Sequence, residues 1–311
     1  MMKKESLRKA YGEQLAQLGE ADQRLVALEA DLGKSTMSCL FQDKQPERYF
    51  QLGIAEQNMA SVAAGLALTG KIPFMNSFAV FATGRAYDQI RSSVCIPKLN
   101  VNICGSSAGL SDFGDGKTHQ SIDDIAIMRV LPNMTVLAPA DAVETRKMVK
   151  AMVEHDGPAY IRINRNDLPV LTDPDEPYHI GKMSQLRDGG DAVVFANGVM
   201  NSIALEAAQS LEKEGISLRV VNVSTIKPLD TKALIGYCRG VKAVVAAEEH
   251  SIYGGLGSAV AEALSTSRLP VGFVGIQDSF GTSAKNYEEL LVRYGLTAEA
   301  LAAKVKETLQ A

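Results

Sequence analysis

The stretch "QLGIAEQNMASVAAGLALTG" (51–70) sets a single acid, Glu56, at the head of a run that is otherwise small and apolar. Two readings of that acid are open. An acidic side chain in the first turn of a helix is stabilised by the helix dipole. A carboxylate taken out of water can instead share a proton with a basic ring nitrogen. Further on, "NSFAVFATGRAYDQIR" (76–91) places Phe78 and Phe81 three residues apart, with Tyr87 following. That spacing suits plain core, or an aromatic wall for a flat heterocycle. In "SSAGLSDFGDGKTHQSIDD" (106–124), Gly109, Gly114 and Gly116 mark a loop, and His119 follows Asp115 and Lys117 in it. A loop histidine among polar neighbours is a candidate acid or base. Alternatively, Thr118 or Ser121 caps the next helix and His119 is incidental. In "YIRINRNDLP" (160–169), Arg162 and Arg165 leave a strand end together. Forked guanidinium heads suit a phosphate or carboxylate, or they only add surface charge. The Gly-Asp-Gly at 114–116 is not read as a metal site: a diphosphate-bound metal needs asparagines further along, and the region offers only Asn133.

These groups need a frame to hold them. Apolar, β-branched runs at 98–105, 134–139 and 159–164 read as strands, and "DAVETRKMVKAMVEH" (141–155) reads as a helix. The texture breaks around 166–188, where Pro, Asp and Gly gather without a sustained period. Alternation then restarts. Strands are expected at 191–198, 216–223, 241–249 and 270–276, and helices at 201–215, 231–240, about 255–265 and the C-terminus. The pattern predicts an α/β protein of two domains, each a mostly parallel sheet flanked by helices. Residues 1–170 form the first domain, 171–188 a linker and 189–311 the second. Loops leaving the carboxyl ends of parallel strands are where ligands bind, so the loop at 106–124 is well placed.

Composition narrows the function. The 311 residues suffice for two cores, and 46% hydrophobic with 22% charged residues is ordinary for a globular protein. A net charge of -4 gives no reason to expect nucleic acid or an anionic membrane as partner. No apolar run reaches the roughly 18 residues of a membrane span. The basic N-terminus has no apolar segment after it, so no secretory signal is read there. Cys39, Cys95, Cys104 and Cys238 are scattered, which suits reduced thiols in a cytoplasm rather than a zinc cage.

Taken in order, "FQLGIAEQNM", "FAVFATGRAYDQIR", "GDGKTHQSIDDIAIMRVLPNMTVLAPAD", "RINRNDLP" and "EEHSIYGGLGS" resemble the C-terminal half of a transketolase, over essentially the whole chain. The match is to the separate C-terminal subunit of split bacterial transketolases. The resemblance implies a pyrimidine-binding domain followed by a transketolase C-terminal domain. It implies thiamine diphosphate as cofactor, with Mg2+ or Ca2+ held by an N-terminal partner subunit that carries the diphosphate motif, in an α2β2 assembly. Glu56 matches the family glutamate that bonds the ring nitrogen of the aminopyrimidine, and Phe78 and Phe81 match the wall that stacks on it. Asp115 and His119 match groups that meet the donor sugar, with His119 near the reacting carbonyl. Ser35 and Arg165 match positions that hold a sugar phosphate, and Asp31 lies close to the cofactor and subunit interface. The chemistry so implied is transfer of a two-carbon ketol unit from a ketose phosphate to an aldose. The Ala- and Gly-rich helix after Glu56 is expected at the subunit junction. Two departures fall at substrate positions. Ser107 stands where single-chain transketolases carry a histidine, and "DFGDG" replaces their "GEDG" run. The alternatives are a 1-deoxy-D-xylulose-5-phosphate synthase-like or 2-oxo-acid dehydrogenase E1 beta-like subunit, and a non-catalytic scaffold.

Overall fold

The computed structural model describes residues 3–311; the first two residues of the expected first domain lie outside them. Its strands are β1 (Lys4–Ser6), β2 (Leu25–Glu29), β3 (Tyr49–Gln51), β4 (Ile72–Phe78), β5 (Asn102–Ser106), β6 (Thr135–Leu137) and β7 (Ala159–Arg162). They continue with β8 (Asp167–Pro169), β9 (Ser184–Arg187), β10 (Ala192–Ala196), β11 (Leu218–Asn222), β12 (Thr225–Lys227), β13 (Ala243–Ser251) and β14 (Val271–Ile276). Seven form one sheet in the order β12-β6-β7-β5-β4-β2-β3, and five form a second in the order β14-β13-β10-β11-β9. All pairings in the first sheet are parallel except β12 with β6, and all in the second except β11 with β9. The architecture is therefore the α/β, parallel-dominated one that the alternating pattern predicts.

The central strands are buried along their whole length, as strands covered on both faces must be. The Leu7–Ala21 helix packs on the first sheet and against the Ala142–Glu154 helix, and the Met200–Lys213 and Ala298–Leu309 helices pack on the second sheet. Local chemistry fixes their ends. Asp141 caps the Ala142–Glu154 helix by accepting the Glu144 N–H at 2.8 Å, and Ser6, Asp230 and Thr297 do the same elsewhere.

Two features depart from the sequence pattern. The stretch expected to be irregular holds β8, which pairs with β1, and β9, which edges the second sheet. And β12, from beyond the linker, crosses back to edge the first sheet, with the Lys227 ammonium bonding the carbonyls of Arg129 and Leu131. In the first sheet, β3 lies on one side of β2 and β4 on the other. Strand order reverses there, which opens a crevice beyond the carboxyl ends of these strands.

Candidate functional site

The crevice is built from the loops that follow β2, β3, β4, β5 and β7. After β3, the chain reaches Glu56, the first residue of the Glu56–Leu68 helix. Its carboxylate is only 1% exposed. Oε1 accepts the Ser77 hydroxyl at 3.2 Å and Oε2 accepts Arg85 Nη1 at 2.7 Å. Of the small residues behind it, Ala60, Ala63 and Ala64 pack inside their own domain. Gly65 stands open, with no atom near the place a Cβ would take. Part of the small-residue run therefore serves the domain core rather than a subunit junction.

Past β4 the chain winds in wide π-type turns over Val80–Arg85, a geometry frequent at functional sites. It sets the Phe78 and Phe81 rings 6.1 Å apart and only 16° from parallel. Arg85 spans the site, its guanidinium carbon 4.4 Å from the Phe81 centroid while it pairs with Glu56. From the loop after β5, His119 brings its ring edge-on to Phe81 at 5.2 Å and to Phe78 at 6.2 Å. Its Nδ1 lies 3.0 Å from the Thr118 hydroxyl.

Two arginines adjoin this wall. Arg165, just past β7, lies 6.0 Å from the Phe78 centroid and pairs with the buried Asp112 carboxylate at 2.6 Å. Arg8, from the Leu7–Ala21 helix, ties Arg165 to Ser35: its Nε donates to the Arg165 carbonyl at 3.1 Å and its Nη1 to the Ser35 carbonyl at 2.7 Å. Burial, and then the neighbouring charge of Arg165, lower the pKa of Arg8. The carboxylates of Asp112 and Asp167 act the other way and offset part of this effect. The loop that carries Ser35 and Asp31 is organised by Glu29, at the end of β2. That fully buried carboxylate accepts the N–H groups of Ala30 and Leu32 at 3.0 and 3.3 Å, and the hydroxyls of Thr36 and Ser38 at 2.8 and 2.5 Å. Burial pushes its pKa up to about 7.

The structure thus brings Glu56, Phe78, Phe81 and His119 into one cluster and joins Arg165 and Ser35 beside it. Asp31 and Asp115 are exposed. Among the described residues, neither side chain hydrogen bonds or ion-pairs with the rest of the site. Asp31 is held by its backbone, whose N–H donates to Gln51 Oε1 at 2.9 Å and whose φ is 64°. Arg162 is corrected outright. It is 6% exposed and inward, paired with Asp124 at 2.8 Å and donating to the Glu249 carbonyl at 2.7 Å, so it braces the fold and offers no fork to a ligand. Sequence reasoning missed Arg8 and Asp112, and it takes Arg85 for a surface or salt-bridge residue, of which the structure shows the salt bridge, to Glu56. Arg85 carried a signal: it follows Phe81 by four residues, the spacing at which helical side chains meet. Arg8 carried none, since Arg165 lies 157 positions away.

The donor set fits a flat heterocycle with a basic nitrogen. A buried carboxylate lies with two near-parallel rings, and the hydroxyls of Ser106, which pairs in register with Phe78, and Ser107 are buried without a protein partner at the end of β5. Among the described residues, no three His, Cys, Asp or Glu side chains group as a metal site.

Residues 3–170 match the family described as "Transketolase, pyrimidine binding domain", and residues 181–301 match "Transketolase, C-terminal domain". A "Putative transketolase C-terminal section" from Methanocaldococcus jannaschii is 44% identical over 308 residues, covering 98% of this chain and 96% of that protein. A "6-deoxy-6-sulfo-D-fructose transketolase subunit" from a Clostridium species is 40% identical, covering 98% and 94%. A solved structure described as "Split gene transketolase, inactive beta4 tetramer" superposes with a TM-score of 0.89 at 48% identity, covering 98% of both chains. With both halves of the fold matched and relatives of its own length, this chain belongs to the transketolase family.

Proposed function

We propose that this chain is the pyrimidine-binding, C-terminal subunit of a two-subunit, thiamine-diphosphate-dependent transketolase that moves a two-carbon ketol unit from a ketose phosphate to an aldose. The observation that carries the reading is the Glu56 carboxylate, 1% exposed at a helix start and flanked by stacked aromatic rings and a histidine. When bound, thiamine diphosphate supplies a carbon nucleophile for ketol groups. Every other role falls to side chains. Glu56 holds a proton at the ring nitrogen of the pyrimidine through Oε2, in place of the Arg85 Nη1 that this oxygen accepts here, while Ser77 fixes Oε1. Phe78 and Phe81 form the apolar wall that keeps water from that proton. His119 and Asp115 meet the donor's hydroxyls, and His119 moves protons at its carbonyl. Arg165, Arg8 and Ser35 hold the phosphate, and Asp31 stands near the cofactor.

Residues 1–170 carry this site, and 189–311 close the fold behind it. The diphosphate and its Mg2+ or Ca2+ are assigned to an N-terminal partner subunit, in an α2β2 assembly. Ile54, two residues before the Glu56–Leu68 helix, and Leu68, its last residue, are 75% and 74% exposed, and apolar side chains so exposed support contact with another chain. The names of the relatives, a C-terminal section and a separate subunit, support the same division. Among the described residues no helix is long and apolar enough to cross a membrane, and the four cysteines are unpaired, which supports a cytoplasmic setting.

Reconstitution tests the reading. The chain mixed with a partner carrying the diphosphate motif is expected to transfer a ketol unit from D-fructose 6-phosphate to an aldose, and Glu56→Ala to abolish the transfer while the complex still assembles. Carbon dioxide release from pyruvate in place of ketol transfer would mark a synthase-like subunit, and full activity in Glu56→Ala would mark a scaffold.

A further inference from the structure

The second domain has no part in the chemistry described so far. In an open α/β sheet, ligands bind beyond the carboxyl ends of the strands where strand order reverses. In the five-stranded sheet that point lies between β10 and β13. What reaches it here is the first domain's own loop after β5. Glu249, near the end of β13, is 2% exposed. Its Oε1 accepts the Leu110 N–H at 2.8 Å and its Oε2 accepts the Asn164 side-chain amide at 3.2 Å. Gly109, at φ 66°, lies so close that a Cβ there would sit 2.4 Å from the Glu249 carboxyl carbon. Flanking contacts repeat the grip. The Ser251 N–H donates to the Ile122 carbonyl at 2.7 Å, Gln120 Nε2 to the Thr282 carbonyl at 3.0 Å, and the Ala284 N–H to the Phe113 carbonyl at 2.9 Å.

Leu110 and Asn164 both lead to Arg165, while a third partner of Glu249, the Tyr287 hydroxyl, also accepts the Asn164 amide at 2.9 Å. Leu110 is followed by Ser111, whose hydroxyl accepts the Arg165 N–H at 3.1 Å, and by Asp112, whose carboxylate pairs with the Arg165 guanidinium. Asn164 is the residue before Arg165. The two segments that aim this guanidinium are thus pinned by one buried carboxylate from the other domain. We propose that Glu249 is a positioning residue that orients Arg165, so that the second domain sets the affinity of the site for the anionic head of the donor. This rests on the reading of Arg8 and Arg165 as an anion pocket.

Both carboxyl oxygens matter here, because the Leu110 N–H is directed at one and the Asn164 amide, which also reaches the Tyr287 hydroxyl, at the other. An amide has one acceptor oxygen, and its NH2 would face either the Leu110 N–H or the Asn164 amide, donor against donor. Glu249→Gln therefore keeps the size of the side chain and displaces one of the two segments.

The test uses the full chain alone, with sulfate as probe, because sulfate keeps one charge state across neutral pH. Binding is followed by the NMR shifts of the arginine Nε–H groups. In the wild-type chain, sulfate is expected to move the Arg8 and Arg165 signals saturably. Glu249→Gln is expected to weaken sulfate by about tenfold, with circular dichroism unchanged, and in the reconstituted enzyme to raise KM for D-fructose 6-phosphate more than it lowers kcat. Wild-type sulfate affinity in folded Glu249→Gln overturns the proposal. No sulfate response in the wild-type chain overturns the anion pocket itself, which separates the two failures. Should Glu249→Gln not fold, Gly109→Ala, which keeps every charge and pushes a methyl against the same carboxylate, is read in the same way.

Discussion

Replacing Arg8 by Met deletes a guanidinium and keeps most of its apolar stem, so it isolates the charge. The native head spends Nε on the Arg165 carbonyl and Nη1 on the Ser35 carbonyl, which leaves its remaining donors for a ligand. Those two bonds go to neutral acceptors that water can partly reach, and losing them costs about 1–2 kcal/mol of stability. The larger effect is on the anion. A phosphate about 5 Å from a unit charge gains about 3 kcal/mol at an effective dielectric of about 20. Arg8 is partly exposed, and screening reduces that gain to about 1–2 kcal/mol, or about tenfold in affinity. In the reconstituted enzyme, KM for D-fructose 6-phosphate is expected to rise about tenfold, while kcat/KM for unphosphorylated D-fructose changes by less than about threefold. The deficit shrinks as salt is added, because salt weakens the wild-type attraction. Equal losses with both donors would refute the reasoning, since they would place Arg8 in the scaffold and not against the anion.

Two further outcomes follow from buried contacts. An unfolded glutamate titrates near 4.5, whereas burial pushes Glu29 up to about 7. The folded chain then binds more protons than the unfolded one between those values, so stability falls as pH rises through that window, by at most about 3 kcal/mol from this group. Glu29→Gln is expected to remove that part of the slope in urea unfolding from pH 4.5 to 7; Glu249, also pushed up to about 7 by burial, supplies a remaining part, and an unchanged slope would count against the assignment. Gly12→Ala sets two effects against each other. Alanine in a helix interior gains about 1 kcal/mol over glycine, but its Cβ would lie 2.3 Å from the Met37 carbonyl oxygen, in a backbone already held at φ 65°. A rigid backbone contact wins, and thermal melting is expected to show a net loss of about 2 kcal/mol; a gain would show that the two segments can part freely.

Much of the fold is legible because its elements are long and periodic. "DAVETRKMVKAMVEH" announces its helix, which the structure places at Ala142–Glu154, with Asp141 outside it as the cap on the Glu144 N–H. The strands that became β10, β11, β13 and β14 are likewise legible as apolar, β-branched runs. The short edge strands are not. Three residues such as Thr225–Lys227 are too few to show a period, and what makes them a strand is a partner, Val136–Leu137, far away in the chain.

The site divides on the same line. Glu56 is legible because an acid is conspicuous in an apolar run, and Phe78 with Phe81 because they stand three positions apart. Arg162 and Arg165 look alike in sequence and have opposite fates. β7 ends at Arg162, which still lies between packed layers and must find its counter-charge inside, at Asp124; the chain then turns out, and Arg165 emerges 33% exposed beside an aromatic ring. No local pattern separates them, because the difference is set by where the strand stops and by a carboxylate on another element. The same holds for Arg8, whose neighbours are the loop after β2 and the end of β7, and for Glu249, whose neighbours belong to the other domain. A charge held by its own segment can be found by spacing, whereas a charge held by two distant backbones is fixed only once the sheet sets their ends side by side.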